Sequence, residues 1–139
     1  MALSDIVIPT RVIEYQGASF TIHGVTARDV MRMLFEAEKD IERIIDAYEA
    51  LQGSEGADSR EAIVLLLREA PELAARLIAS AADEPEHWSI VARLPVSVQA
   101  EALAAVWALT FEGPDSVKKF VASLVEMTNS MKALKSKAA

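Results

Sequence analysis

The chain has 139 residues, of which 52% are hydrophobic and 25% are charged, and its net charge is −7. These values fit a globular domain with its own hydrophobic core, and they argue against a disordered chain and against a basic nucleic-acid-binding protein. The absence of cysteine excludes disulfides, thiolate metal ligands and cysteine nucleophiles.

We expect a single domain over residues 1–139, made of a β-hairpin arm (1–25), a helical body (26–134) and a loose tail (135–139). The charge is −9 up to residue 111 and +2 beyond it, and an acidic body repels phosphate, so we expect no nucleic-acid partner. No stretch approaches the roughly 20 apolar residues that cross a bilayer, and the first residues lack the basic and apolar regions of a secretion signal. The sequence therefore predicts a cytoplasmic protein without a membrane partner.

The first predicted element is a β-hairpin. Residues 11–15 and 18–23 are rich in β-branched and aromatic side chains, and the Gln16-Gly17 pair between them contains a residue that tolerates positive φ. Strand alternation places Phe20 and Ile22 on the inward face of the hairpin.

The first predicted helix begins at a capping box formed by Thr26 and Asp29. Apolar residues then recur on one face at helical spacing, so we predict one continuous helix to about Leu51. A loop containing Gly53 and Gly56 follows. The acidic residues on the opposite face are typical of a solvated surface.

Four prolines divide the rest of the chain into further helices. Pro71, Pro85, Pro95 and Pro114 each stand at the first turn of a helical pattern, where the missing N–H costs nothing. Ser59 is a plausible cap for one more helix before Pro71. The sequence thus predicts a mainly α fold, with an N-terminal β-hairpin followed by a compact bundle of about six helices.

Two of these helices have distinctive patterns. The helix after Pro95 is apolar nearly all round, so we expect it to be central, covered on most sides and closed by Gly113. The last helix carries an apolar arc of roughly half its circumference. Val117, Leu124 and Thr128 lie near the centre of that arc, where we expect them to belong to the core.

Motifs that would indicate catalysis are nearly absent. Glu84 and His87 have the Glu-x-x-His spacing of di-iron bundles, but such a site needs a second copy, and His23 lies at the end of a predicted strand. Acidic residues around Pro85 are better explained as complementing a helix dipole. The chain also lacks a Gly-rich phosphate loop and a Gly-x-Ser-x-Gly elbow. We expect no enzymatic activity, no catalytic residue, no metal site and no cofactor.

Two surfaces are candidates for binding a partner. Met31 and Phe35 are four residues apart and point away from the main stripe of the first helix, so they are either exposed or, as we favour, covered by the hairpin. In the last helix, Met127 and Leu134 lie at one edge of the apolar arc, with Met131 between them in sequence. A partner helix would dock at that edge, and the alternative is ordinary core packing against two neighbours.

Four segments, taken in order, carry a resemblance to a known family. They are Phe20 to Thr26 running into Asp29-Val30, Ile78 to Pro85, Leu94 to Leu103, and Trp107 to Phe111 with Phe120 beyond. The combination resembles the pre-tape-measure proteins, or tail assembly chaperones, of long-tailed phages. It extends from about Phe20 to Leu134, and none of the segments is a catalytic signature.

The resemblance implies a non-enzymatic protein that binds the tape measure protein, keeps it soluble and helps recruit tail tube subunits during tail morphogenesis. Such a protein acts in the cytoplasm of the bacterial host and is not retained in the mature virion. The implied partners are the tape measure protein and the tail tube protein, and self-association is left open. The alternative is a structural, scaffold or adaptor protein of the phage particle, which would be found in purified particles.

Overall fold

The computed structural model describes residues 2–51, 59–111 and 114–138. Within these ranges the chain is mostly helical, with an antiparallel hairpin followed by seven α-helices, which confirms the predicted fold class. The elements are β1 (Thr10–Tyr15), β2 (Ala18–His23), α1 (Ala27–Glu36), α2 (Glu38–Leu51), α3 (Ser59–Glu69), α4 (Pro71–Ala81), α5 (Trp88–Val91), α6 (Val96–Thr110) and α7 (Pro114–Ala138). Short 3-10 turns cover Leu3–Asp5 and Pro85–His87.

The proline positions agree closely with the prediction. Pro71 and Pro114 begin α4 and α7, Pro85 begins a 3-10 turn, and Pro95 is the residue just before α6. The α7 helix continues through residues 135–138, into the segment that the sequence assigns to a loose tail. The predicted glycine loop at 53–56 and the predicted stop at Gly113 lie outside the described residues.

The hairpin turns at Gln16 and Gly17, whose φ angles of 49° and 79° match the positive values that a tight two-residue turn requires. Ile22 is fully buried and Phe20 is half-buried against the same core, which confirms the predicted inward face. The hairpin packs on α6 and, through β2, on α4. Its apolar face therefore covers the central helix.

The connection from the hairpin to α1 is fixed on the C-terminal end of α6. The backbone N–H of Val25 donates to Oγ1 of Thr110 at 2.9 Å. A Cβ atom on Gly24 would lie 2.7 Å from the carbonyl oxygen of Leu109, a distance that real Cβ atoms do not adopt. Glycine at this position therefore permits the close approach of the two backbones.

The predicted capping box at the start of α1 is present. Asp29 N–H donates to Thr26 Oγ1 at 3.2 Å, and Thr26 N–H donates to Asp29 Oδ2 at 2.9 Å. The predicted continuous helix is wrong, because Ala37 leaves the helical region with φ −141° and ψ 39° and separates α1 from α2. No proline or glycine causes this break. Ala37 is buried in the same cluster as Met33 and Ile41, so tertiary packing overrides the strong helix propensity of the local sequence.

A buried polar network joins α1 to α4. The hydroxyl of Ser80 donates to Oδ1 of Asp29, and Nη1 of Arg32 donates to Oγ of Ser80 at 2.8 Å. Asp29 and Ser80 are both almost fully buried. Buried hydrogen bonds of this kind need a defined geometry, so the network fixes the relative position of the two helices.

The core consists of two clusters that share α4. The first contains Ile13 and Ile22 of the hairpin with Ile78 of α4 and the inner face of α6. The second contains Leu34 of α1 and Leu73 of α4 with the apolar faces of α2 and α7. Since α4 contributes to both clusters, it is the most completely enclosed helix among the described elements.

The central helix α6 is covered on most sides by α3, α4 and both hairpin strands, as expected for a helix that is apolar nearly all round, and its exposed residues lie along one strip. Ala102, Leu103 and Val106 are buried, whereas Ala104 and Ala108 are exposed. Alanine supports a helix while exposing little apolar area, so an apolar sequence can still present a face to solvent.

Candidate functional site

An apolar cleft of about 180 Å³ lies between α2, α3 and α7. Its walls include Ile44 and Tyr48 of α2, Ala62 and Leu66 of α3, and Phe120 and Leu124 of α7. Met33, Leu73, Leu103 and Val106, from α1, α4 and α6, form its floor. Every lining residue is of an apolar or aromatic type, and almost none of the exposed lining surface is polar.

The size of this cleft is unusual for a protein interior. Folded domains contain few voids larger than a water molecule, and an apolar cavity of roughly 150 Å³ is enough to bind benzene. At roughly 24 cal/mol per Å³, an empty cavity of this volume lowers the free energy of unfolding by on the order of 4 kcal/mol. This figure is an upper limit, because the cleft opens to solvent. The described side chains thus leave space for an aromatic or large aliphatic side chain that is not among the lining residues.

A row of three aromatic rings runs along one side of the cleft from α6 to α7. The rings of Trp107 and Phe111 are 4.8 Å apart, and those of Phe111 and Phe120 are 5.3 Å apart, both in edge-to-face geometry. Such pairs contribute roughly 0.5 to 1.5 kcal/mol beyond their buried area. They hold the N-terminal half of α7 against the end of α6.

A second, polar groove lies on the other side of the α2–α7 contact. It is lined by Glu42, Asp46 and Glu49 of α2 and by Thr128 and Lys132 of α7. The Nζ atom of Lys132 is 2.9 Å from Oε1 of Glu42. This hydrogen bond, followed by the charge of the same carboxylate, raises the pKa of Lys132. The buried hydroxyl of Thr128 has no hydrogen-bond partner among the described residues.

The structure places Met31 and Phe35 on an uncovered face of α1. Their side chains are 41% and 74% exposed. The interpretation that the hairpin covers them is therefore wrong. The physical reason is that the hairpin buries its apolar face against α6 and α4 rather than against α1.

The three candidate residues of α7 have different surroundings. Met127 and Met131 are half-buried and pack against the second core cluster, whereas Leu134 is 67% exposed. At the centre of the arc, Val117 and Thr128 are buried, as expected, and Leu124 is half-buried. A role of Met127, Met131 and Leu134 in binding stays a prediction.

None of the five residues singled out for partner binding lines the apolar cleft. Ile44 and Tyr48 belong to the apolar residues that recur at helical spacing up to Leu51, and this spacing predicts that they face inward. It could not indicate that α2, α3 and α7 stand far enough apart to leave a cavity, because helix spacing depends on the whole set of packed side chains.

The Glu-x-x-His motif forms part of an exposed turn. Nδ1 of His87 lies 3.2 Å from Oε1 of Glu84 and 3.9 Å from Oε1 of Glu86. Nε2 of the other histidine, His23, is 2.9 Å from Oδ1 of Asp83. In the part of the chain that the structure describes, no three histidine or carboxylate side chains are grouped as a metal site requires.

Curated proteins and solved structures gave no match. The family model described as "Pre-tape measure protein" matches residues 1–139, which is the full length of the sequence. In agreement with the resemblance carried by its motifs, the chain belongs to the pre-tape measure protein family.

Proposed function

We propose that this protein is a phage tail assembly chaperone that binds a helix of the tape measure protein in the apolar cleft and keeps it soluble. Membership of the family supports a role in phage tail assembly related to the tape measure protein. The proposal adds that the protein acts in the host cytoplasm, helps recruit tail tube subunits and does not remain in the virion. Nothing in this role requires catalysis.

The apolar cleft that the described side chains leave unfilled is the observation that carries the proposal. Because the lining offers almost no polar atoms, a segment that enters it must satisfy its own backbone hydrogen bonds. A helix meets this condition, since its N–H and C=O groups are paired internally. An amphipathic helix can therefore place one or two large apolar side chains in the cleft, as in other helix-in-groove complexes.

The acidic residues beside the cleft suit a protein that keeps an apolar partner in solution. Asp46 and Glu49 are exposed on α2, close to the cleft wall formed by the same helix. The whole chain carries a net charge of −7. Charge of one sign opposes aggregation of a complex whose apolar stripes are covered.

The exposed candidates identified from the sequence extend this proposal. Met31, Phe35 and Leu134 offer further apolar contacts to a long helix that leaves the cleft. All three side chains are exposed, so their substitution should affect binding without affecting the core.

Filling the cleft tests the proposal. Ala62 lines the cleft, so Ala62→Leu should place its larger side chain in the empty space. The added contacts should raise the free energy of unfolding by about 0.5 to 2 kcal/mol, while binding of co-expressed tape measure protein weakens tenfold or more. The matched control is Ala104→Leu, the same change on the exposed face of α6, which should leave binding unchanged.

The measurements are thermal denaturation of the purified variants and quantitative co-purification with the tape measure protein. If Ala62→Leu is too large and lowers stability, Ala62→Met supplies a more adaptable side chain for the same test. A variant that fills the cleft, gains stability and still binds the tape measure protein as well as the original would refute the cleft as the binding site. The proposal also predicts that purified phage particles lack the chain, which mass spectrometry can check.

A further inference from the structure

The segment that precedes the hairpin is apolar and uncovered. Ile6, Val7 and Ile8 are 54%, 87% and 66% exposed, and Val12 on β1 is also largely exposed. All four side chains are β-branched, and the backbone of Ile6 is extended, with φ −79° and ψ 126°. Contiguous exposed apolar residues of this kind mark an interaction surface in a folded protein.

The chain cannot pair this segment with its own β2 strand. The hairpin register matches Thr10 with His23, so continuing it would match Ile8 with Val25 and Ile6 with Ala27. Val25 is bound to Thr110 of α6, and Ala27 is already the first residue of α1. Residues 6–8 therefore lie beyond the end of the sheet without a partner strand in β2, and we call this segment the overhang.

Among the described residues, no strand pairs with the edge of β1 opposite β2, and this open edge is continuous with the overhang. In a two-residue hairpin, the residues that flank the turn exchange both of their hydrogen bonds, and the bonding direction then alternates along the strand. Tyr15 flanks the turn, so the odd-numbered residues of β1 bond toward β2 and the even-numbered residues face the open edge. Pro9 is odd-numbered, and its missing N–H lies on the side away from the open edge.

We propose that two copies of this chain associate by antiparallel pairing of their overhangs along the open edges of β1, with Ile8 of each copy opposite Ile8 of the other. This register puts Ile6 opposite Thr10 of the second copy, so that the even-numbered backbone groups on both sides form hydrogen bonds. The two hairpins then become one four-stranded sheet. Sheets of three or more strands are more stable than isolated hairpins, and the pairing removes an exposed edge.

The charges of the segment agree with this register. Asp5 and Arg11 are the charged residues between positions 5 and 12, and the proposed pairing places Asp5 of each copy, the last residue of the 3-10 turn, opposite Arg11 of the other. The exposed carboxylate of Asp5 accepts a hydrogen bond from the backbone N–H of Ala2, so the pairing adds Arg11 as a second partner. Within the described ranges Arg11 forms no ion pair in its own chain. Two reciprocal opposite-charge pairs thus close the two ends of the interface, and this complementarity identifies a second copy as the partner.

A disulfide provides a direct test of the register, because the natural chain contains no cysteine. Hydrogen-bonded residues that lie opposite each other in antiparallel strands have Cα atoms about 5.5 Å apart, a separation that suits a disulfide. The full-length Ile8→Cys variant should form a covalent dimer under mild oxidation at least ten times faster than Val64→Cys. Val64 is similarly exposed but lies on α3. Equal rates for the two variants would overturn the proposal.

Sedimentation of the cysteine-free chain tests the association itself. The original chain should show a concentration-dependent dimer, and Ile8→Lys should be monomeric with an unchanged melting temperature, because Ile8 contributes little to the monomer core. The control Val64→Lys should still dimerise. Arg11→Glu should weaken dimerisation at least tenfold, and adding Asp5→Arg to it should restore the dimer. A chain that is monomeric at all concentrations, or a dimer that tolerates Ile8→Lys, would refute the proposal.

Discussion

Removing the carboxylate of Asp29 should be among the most damaging single changes in α1. One oxygen of this carboxylate accepts from the backbone N–H of Thr26, and the other accepts from the buried hydroxyl of Ser80. Loss of the capping interaction costs about 1 kcal/mol. Loss of a buried hydrogen bond to a charged group costs about 1.5 to 3 kcal/mol. We therefore expect Asp29→Ala to lower the free energy of unfolding by about 2.5 to 4 kcal/mol.

Urea denaturation followed by circular dichroism measures this loss, which corresponds to a fall in melting temperature of roughly 10 to 15 °C for a chain of this size. Asp46→Ala is the matched control, because Asp46 is an exposed aspartate on α2 and should change stability by less than about 0.5 kcal/mol. The double variant Asp29→Ala/Ser80→Ala should cost less than the sum of the single variants by at least about 0.5 kcal/mol. A loss of under about 1 kcal/mol for Asp29→Ala, or additive effects, would show that the network does not join α1 to α4.

Two further predictions concern packing. Leu34 is fully buried, whereas Phe35 beside it is 74% exposed. In urea denaturation, Leu34→Ala should therefore lower the free energy of unfolding by about 2 to 5 kcal/mol, and Phe35→Ala by less than about 1 kcal/mol. Similar losses at the two positions would contradict the orientation of α1. Gly24→Ala should cost about 1 to 3 kcal/mol, because its Cβ atom would lie 2.7 Å from the carbonyl oxygen of Leu109. A melting temperature equal to that of the original chain would show that the two backbones are not in close contact.

Features encoded by adjacent residues could be predicted from the sequence. The hairpin turn at Gln16-Gly17 and the capping box of Thr26 and Asp29 depend on a few neighbouring residues, and both are present. The break at Ala37 could not be predicted, because alanine favours helix and the break results from packing around it.

The candidate site was harder to predict than the fold. Ile44 and Leu66 belong to ordinary apolar stripes, and the sequence contains no sign that a cavity separates them. Helical spacing predicts that Phe35 lies off the main stripe of its helix, but its exposure depends on where the hairpin packs. Periodicity gives the direction of a side chain relative to its own helix. Only the assembled structure shows what that side chain meets.

The two kinds of contact described above give the two sides of the cleft different freedom to move. The α1–α4 pair is held by the directional bonds of Asp29 and Ser80, so sliding one helix along the other would break them. In the described residues, α2 and α7 meet through apolar side chains and the exposed pair of Glu42 and Lys132. Apolar contacts are non-directional, so they tolerate small shifts of one helix past another. The floor of the cleft is thus rigid, whereas the wall formed by α2 and α7 can adjust. The cleft can therefore accept apolar side chains of different sizes while the protein keeps its fold.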